Sequence, residues 1–94
     1  MKAVVVRAAG GPEVMEYTEV DQPAVGPDDV LIDVAAAGVN FIDIYQREGI
    51  YEMPLPYTPG LEGSGTVSAV GTAVSDFATG DRVAWAGGLG SYAE

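Results

Sequence analysis

Glycine and proline cut this chain into short pieces, and that punctuation limits its fold more than any other feature. Breakers fall at Gly10-Gly11-Pro12, Pro23, Gly26-Pro27, Gly49, Pro54, Pro56 and Pro59, and recur through the turn-rich span from Gly71 to Gly80. Proline lacks a backbone donor and restrains its predecessor, while glycine admits left-handed turns, so short strands joined by tight turns are favoured over long helices. Lys2 to Ala8, Val14 to Val20, Asp29 to Ala37, Thr66 to Val70 and Asp81 to Ala86 read as strands, rich in β-branched and small apolar residues. Ser91 to Glu94 follows a glycine turn and reads as the start of another strand, so a chain truncated within its domain is expected.

The period changes once. From Asn40, residues Phe41, Ile44, Tyr45 and Glu48 fall at helical spacing, and Gly49 supplies a left-handed stop. Asn40 is a favoured N-cap, Asp43 stands three residues on as in a capping box, and Asp43 with Arg47 makes an i,i+4 pair. Five or six short strands and one short helix predict a mainly β domain, an antiparallel barrel or sandwich.

Composition narrows the chemistry. Ninety-four residues make one domain at most, and 48% hydrophobic against 19% charged residues fits a folded chain. Fourteen acids face only Lys2, Arg7, Arg47 and Arg82, a formal charge of -10 that repels phosphate backbones and anionic lipid. No nucleic-acid or membrane partner is expected, and no apolar run approaches the roughly 18 residues of a membrane helix. The start MKAVVVRAAGG lacks a signal-peptide pattern, which makes the cytoplasm the expected compartment. The absence of cysteine and histidine removes disulfides, thiolate nucleophiles, Ser-His and Cys-His pairs and all soft metal ligands.

Local patterns add little more. Gly60-Leu-Glu-Gly63-Ser-Gly65 has the order G-x-x-G-x-G and precedes a strand, whereas the dinucleotide fingerprint is G-x-G-x-x-G after a strand and opening a helix. Close packing or a bulge at a barrel bend is the better reading of Gly63 and Gly65. Asp28 with Asp29, or Glu48 with Glu52, offers paired carboxylates, but nothing selects either pair over a solvated surface.

Three motifs taken together are more specific. Gly38-Val-Asn-Phe-Ile-Asp-Ile-Tyr-Gln-Arg-Glu-Gly-Ile-Tyr51, then Pro56-Tyr-Thr-Pro-Gly-Leu-Glu-Gly-Ser-Gly-Thr-Val67, then Gly80-Asp-Arg-Val83, stand in one order across the chain. In this they resemble the zeta-crystallin-like quinone oxidoreductases of the medium-chain dehydrogenase/reductase superfamily, the zinc-free branch of the alcohol dehydrogenase-like proteins. The resemblance implies that residues 1–94 are part of a GroES-like catalytic domain, a partly open β-barrel, with the Rossmann domain that holds most of NADPH absent from this chain. It implies hydride transfer from NADPH to a small quinone or enone, little or no activity in this chain alone, and a homodimeric full-length enzyme.

Residue by residue, the resemblance places Asn40 and Asp43 near the nicotinamide and its ribose and puts Tyr51 at the cofactor cleft. Tyr45 becomes a pocket wall or hydrogen-bond donor, so Tyr45 and Tyr51 are the catalytic candidates. Spacing alone makes Tyr45 a core residue and gives Asn40 and Asp43 to the helix cap. Zinc enzymes of the superfamily carry Cys where Asn40 stands and His where Leu61 stands, so no metal is expected here. Glu62 matches a glutamate near that metal and is read as structural, and Gly80-Asp-Arg-Val as a turn with buried pairing. Alternatives are an enoyl or enone reductase of the same superfamily, and a noncatalytic GroES-like binding module.

Overall fold

The computed structural model describes all 94 residues and contains five strands and one α-helix. Strands β1 (Lys2–Val6) and β2 (Met15–Glu19) form an antiparallel ribbon in which Lys2 faces Glu19 and Val6 faces Met15. Gly10-Gly11 and a single 3-10 turn at Pro12–Val14 reverse the chain between them. Strands β3 (Val30–Ala37), β4 (Glu62–Val70) and β5 (Arg82–Ala86) form a second antiparallel sheet, with β4 in the centre. The helix, α1 (Phe41–Glu48), lies in the connection from β3 to β4.

Backbone bonds outside the named strands join the two sheets. Val4 N–H donates to the Tyr92 carbonyl at 2.9 Å and Glu94 N–H to the Lys2 carbonyl at 3.0 Å, while Val34 N–H donates to the Glu94 carbonyl at 2.8 Å. The last residues therefore sit between β1 and β3, and the strand expected from Ser91 to Glu94 is realised as a single bridge, Ala3 to Ala93. Tyr57 exchanges both backbone bonds with Val6, at 2.8 and 3.0 Å, which ties the proline-rich segment to β1. The result is the mainly β, partly open barrel of the expected class.

The core is small. Of 94 residues 11 are buried, and the hydrophobic ones are Ala3, Val5, Val6, Tyr57 and Val67. A fully buried valine stabilises by roughly 1.5 to 3 kcal/mol, so Val6 and Val67, at 0% and 1% exposure, carry a large share of the fold.

Strand β4 starts four residues earlier than its β-branched content indicates, at Glu62. Its glycines belong to the ladder because the neighbours leave no room for side chains. A Cβ on Gly63 would stand 2.6 Å from the Trp85 ring and 2.9 Å from the Ala36 carbonyl oxygen, and one on Gly65 would run into the Asp33 carbonyl. Opposite them β3 shifts register between Leu31 and Ile32 and between Val34 and Ala36, and such bulges bend a sheet. Gly80 makes its turn at φ +95 and Asp81 Oδ2 accepts Ala78 N–H at 3.0 Å. Asp81 and Arg82 are both exposed and form no ion pair, so the buried pairing expected of that motif is not made. No helix is long and apolar enough to cross a membrane.

Candidate active site

Helix α1 is built as its sequence predicts. Asn40 is extended at the N-cap and forms the capping box with Asp43, whose Oδ2 accepts Asn40 N–H at 3.0 Å. The Asn40 side chain faces the Asp43 amide without closing a cap bond of its own; that amide donates to the Asn40 carbonyl at 3.0 Å. At the other end Gly49 takes the left-handed conformation, φ 88, and its N–H reaches the Gln46 carbonyl at 3.2 Å.

The faces of the helix are inverted relative to an ordinary amphipathic one. Asp43 points inward, 4% exposed, and beside it the Arg47 side chain is 11% exposed. Phe41 is 77% exposed, and Tyr45 also faces outward. The expected Asp43–Arg47 pair does not form. Asp43 Oδ2 is held by Asn40 N–H and by the Tyr92 hydroxyl at 2.7 Å, while Arg47 Nε donates to the Gly10 carbonyl at 3.1 Å and its Nη2 lies 3.4 Å from Glu48. Both side chains find partners fixed by the sheet scaffold or the cap, and these displace a pairing worth only about 0.2 to 0.5 kcal/mol on a helix surface.

Tyr45 and Tyr51 come together on the outer side. Ile50 N–H and Tyr51 N–H both reach the Tyr45 carbonyl, at 3.0 and 3.4 Å, folding the segment after Gly49 back along the helix end. The rings then meet edge to face, centroids 6.2 Å apart and 72° between planes, and both stay about half exposed. Ile50, next to Tyr51 in sequence, is also exposed, and Val39 and Phe41 leave further large apolar side chains exposed around the start of the helix.

Several polar groups of α1 and the segments packed near it are buried without a protein partner: Asp43 Oδ1, the Gln46 side-chain oxygen and the hydroxyls of Tyr57 and Ser91. A cavity of about 250 Å³ lies here, bordered by Asp43, Ile44, Arg47 and Tyr92. Burial raises the Tyr57 phenol above its ordinary value, with nearby Arg47 opposing and Asp43 adding. Tyr92 is raised much further, first by burial and then by its hydrogen bond to Asp43. In the unfolded chain both phenols ionise near the ordinary value of about 10, so their contribution to stability is complete below that pH and is lost as pH climbs beyond it. Alkaline titration followed at 295 nm should show these two tyrosines ionising together with the loss of far-UV structure.

The remaining candidates lie elsewhere or are engaged locally. Glu62 lines an open groove of about 420 Å³ with Trp85, a groove that neither Tyr45 nor Tyr51 borders, and its side chain occupies the space a Cβ on Gly38 would need. Asp29 Oδ2 accepts Gly26 N–H at 2.8 Å, a turn contact, and no group of three or more acids gathers as a cation site. Sequence reasoning missed Tyr92 as the partner of Asp43 and Tyr57 as a buried phenol within reach of the Asp43 and Arg47 charges. Tyr92 lies 49 residues from its partner, and no local pattern links them.

A mainly β, partly open barrel with one inverted helix defines a class of domain, and comparison with known proteins gives the same class. The model of the alcohol dehydrogenase GroES-like domain matches residues 26–94, so the chain belongs to that family. Within it, the chain is similar throughout to quinone oxidoreductases. It is 48% identical to the quinone oxidoreductase of Pseudomonas aeruginosa over 99% of its own length. It superposes on the Pseudomonas syringae quinone oxidoreductase with a TM-score of 0.96, at 47% identity over 99% of the chain. On the Escherichia coli quinone oxidoreductase complexed with NADPH the TM-score is 0.94, at 37% identity over 98% of the chain. The chain spans 29% of the length of each of these three proteins.

Proposed function

We propose that this chain is the N-terminal part of an NADPH-dependent, zinc-free quinone oxidoreductase, and that residues 1–94 belong to a GroES-like domain working with a Rossmann domain outside this sequence. The observation that carries the proposal is the half-exposed Tyr45–Tyr51 pair on the outer face of α1, the helix that Asn40 caps, in a fold matching an NADPH-complexed quinone oxidoreductase.

The residues present fit the nicotinamide end of the cofactor. Two aromatic rings, two phenols and an amide suit a flat ring with a polar edge. They do not fit the phosphates: of four cations, Arg47 is turned inward to Gly10, and the chain carries ten excess negative charges. Phosphate binding therefore falls to the Rossmann domain. The donor set also disfavours zinc, since there is no thiolate or imidazole and no gathering of acids to replace them. NADPH, when bound, supplies the hydride, and an electron-poor quinone or enone accepts it.

The work of this chain's own residues is then positional. Tyr45 and Tyr51 hold the acceptor's plane and exclude water, and a phenol donates to the acceptor oxygen as negative charge develops there. Asn40 steadies the cofactor's amide edge, and Asp43 sets the helix start beneath it. The acidic surface disfavours nucleic acid and anionic membranes as partners and suits a cytoplasmic protein. The full-length enzyme is proposed to be a homodimer.

The test is oxidation of NADPH by the complete gene product with 1,4-benzoquinone and with a simple enone, beside the 94-residue chain. Turnover in the longer protein supports the reductase reading, and the ratio of the two acceptors separates a quinone reductase from an enone reductase. Failure of both chains to oxidise or bind NADPH would establish a noncatalytic GroES-like module instead. In the active protein Tyr51→Ala should raise the KM for NADPH about 3- to 10-fold, the value of one aromatic contact. An unchanged KM and kcat would remove Tyr51 from the site.

A further inference from the structure

We infer that Tyr92 is a positioning residue for the active-site face, acting through Asp43 to fix the N-terminal end of α1. The inference rests on the reductase reading above for its catalytic consequence, and on the geometry of the helix for its physical basis.

Helix α1 is tied to the barrel at each end. At its C-terminal end Gly10 N–H donates to the Arg47 carbonyl at 2.9 Å, and Arg47 Nε donates to the Gly10 carbonyl at 3.1 Å. At its N-terminal end the tie is the Tyr92 hydroxyl on Asp43 Oδ2 at 2.7 Å. The same oxygen accepts Asn40 N–H, so one buried carboxylate atom joins the N-cap residue to Tyr92. No other side-chain bond connects residues 40 to 44 to the barrel.

Tyr92 is well placed to act as the fixed point. Its carbonyl accepts Val4 N–H from β1 at 2.9 Å, its own N–H donates to the Pro59 carbonyl at 2.9 Å, and Ala93 bridges to Ala3. The phenol thus projects from a segment held on two sides. Hydrogen bonds to a charged acceptor in partly buried surroundings are stronger than neutral ones. Asp43 Oδ1 is buried without a partner, so Oδ2 carries both of the carboxylate's bonds. Without Tyr92 the carboxylate keeps only the local cap bond, which moves with the helix, and the Asn40 end is held to the barrel through its backbone alone, where Gly38 N–H donates to the Glu62 carbonyl at 3.2 Å. Small misplacements of groups that orient a hydride donor and acceptor lower turnover more than ground-state affinity.

The experiment compares the complete gene product with its Tyr92→Phe variant, assayed well below both melting temperatures. Expected is a fall in kcat of about tenfold with the KM for 1,4-benzoquinone changed by less than about twofold, together with faster amide hydrogen exchange across residues 40–44. Unchanged kcat in Tyr92→Phe overturns the inference even if the variant melts lower, because a merely structural bond would move only the melt. A wild-type protein without turnover removes the reductase reading, and the exchange measurement then decides alone. Faster exchange confined to residues 40–44 supports the tie, and identical exchange overturns it.

Discussion

Gly65→Val should abolish the fold of this domain, with far-UV signal and cooperative melting both lost. A Cβ at position 65 would run into the Asp33 backbone carbonyl and stand 2.8 Å from Ile32 Cγ2, and backbone cannot swing aside as a side-chain tip can. Relief requires β3 and β4 to separate where β3 already bulges, between Val34 and Ala36. Overpacking a core commonly costs about 1 to 3 kcal/mol, and a clash with main chain in a central strand belongs above that range. The available margin is narrow, because few side chains are buried and Val67, two residues on, is among the most deeply buried. Gly80→Ala is the informative comparison. A Cβ there meets nothing within 4 Å, so its only penalty is the left-handed φ of +95, about 1 to 2 kcal/mol. Urea melts should therefore rank wild type, Gly80→Ala and Gly65→Val in that order. A folded Gly65→Val would show that β3 and β4 are not packed as described.

The contrast between these two glycines marks where sequence reasoning stops. Both are visible in the chain as breakers, yet Gly80 turns the backbone and Gly65 lies inside a strand. Which role applies depends on the neighbouring strand, and the bulge of β3 opposite Gly65 has no local signature. The start of β4 was missed for that reason. The helix was legible because its determinants are local: Asn40 at the cap, Asp43 three residues on and Gly49 in the left-handed stop all act within one short segment. Its orientation was not legible. Helical spacing of Phe41 and Tyr45 reads as a core stripe, whereas the structure turns both outward and packs Asp43 and Arg47 beneath. Arg47 was assigned to Asp43 by the i,i+4 rule, but its Nε goes to a carbonyl 37 residues away. The barrel class itself came from three motifs in order rather than from the strand pattern, which fits a sandwich equally well.

Asp43→Ala should be the most damaging single change at the candidate site, lowering stability by about 2 to 4 kcal/mol and weakening cofactor use together. The carboxylate accepts two donors, Asn40 N–H at 3.0 Å and the Tyr92 hydroxyl at 2.7 Å, and truncation leaves both without a protein acceptor. Each orphaned buried donor costs about 1 to 3 kcal/mol, and removal of the burial penalty of the unpartnered Oδ1 offsets part of the sum. Asp43→Asn separates charge from shape. Its amide oxygen can occupy the Oδ2 position and keep both bonds, while its NH2 replaces an oxygen that had no partner. The expected loss is therefore small, about 1 kcal/mol, the difference between charged and neutral hydrogen bonds. Thermal melts of the two variants give the stability order, and KM for NADPH in the complete gene product gives the functional one. If Asp43→Ala melts with wild type, the capping box and the Tyr92 bond contribute nothing. If Asp43→Asn is as unstable as Asp43→Ala, the negative charge itself holds the helix start, and the nearby Arg47 guanidinium, which also acts on the Tyr57 and Tyr92 phenols, is the group that feels it.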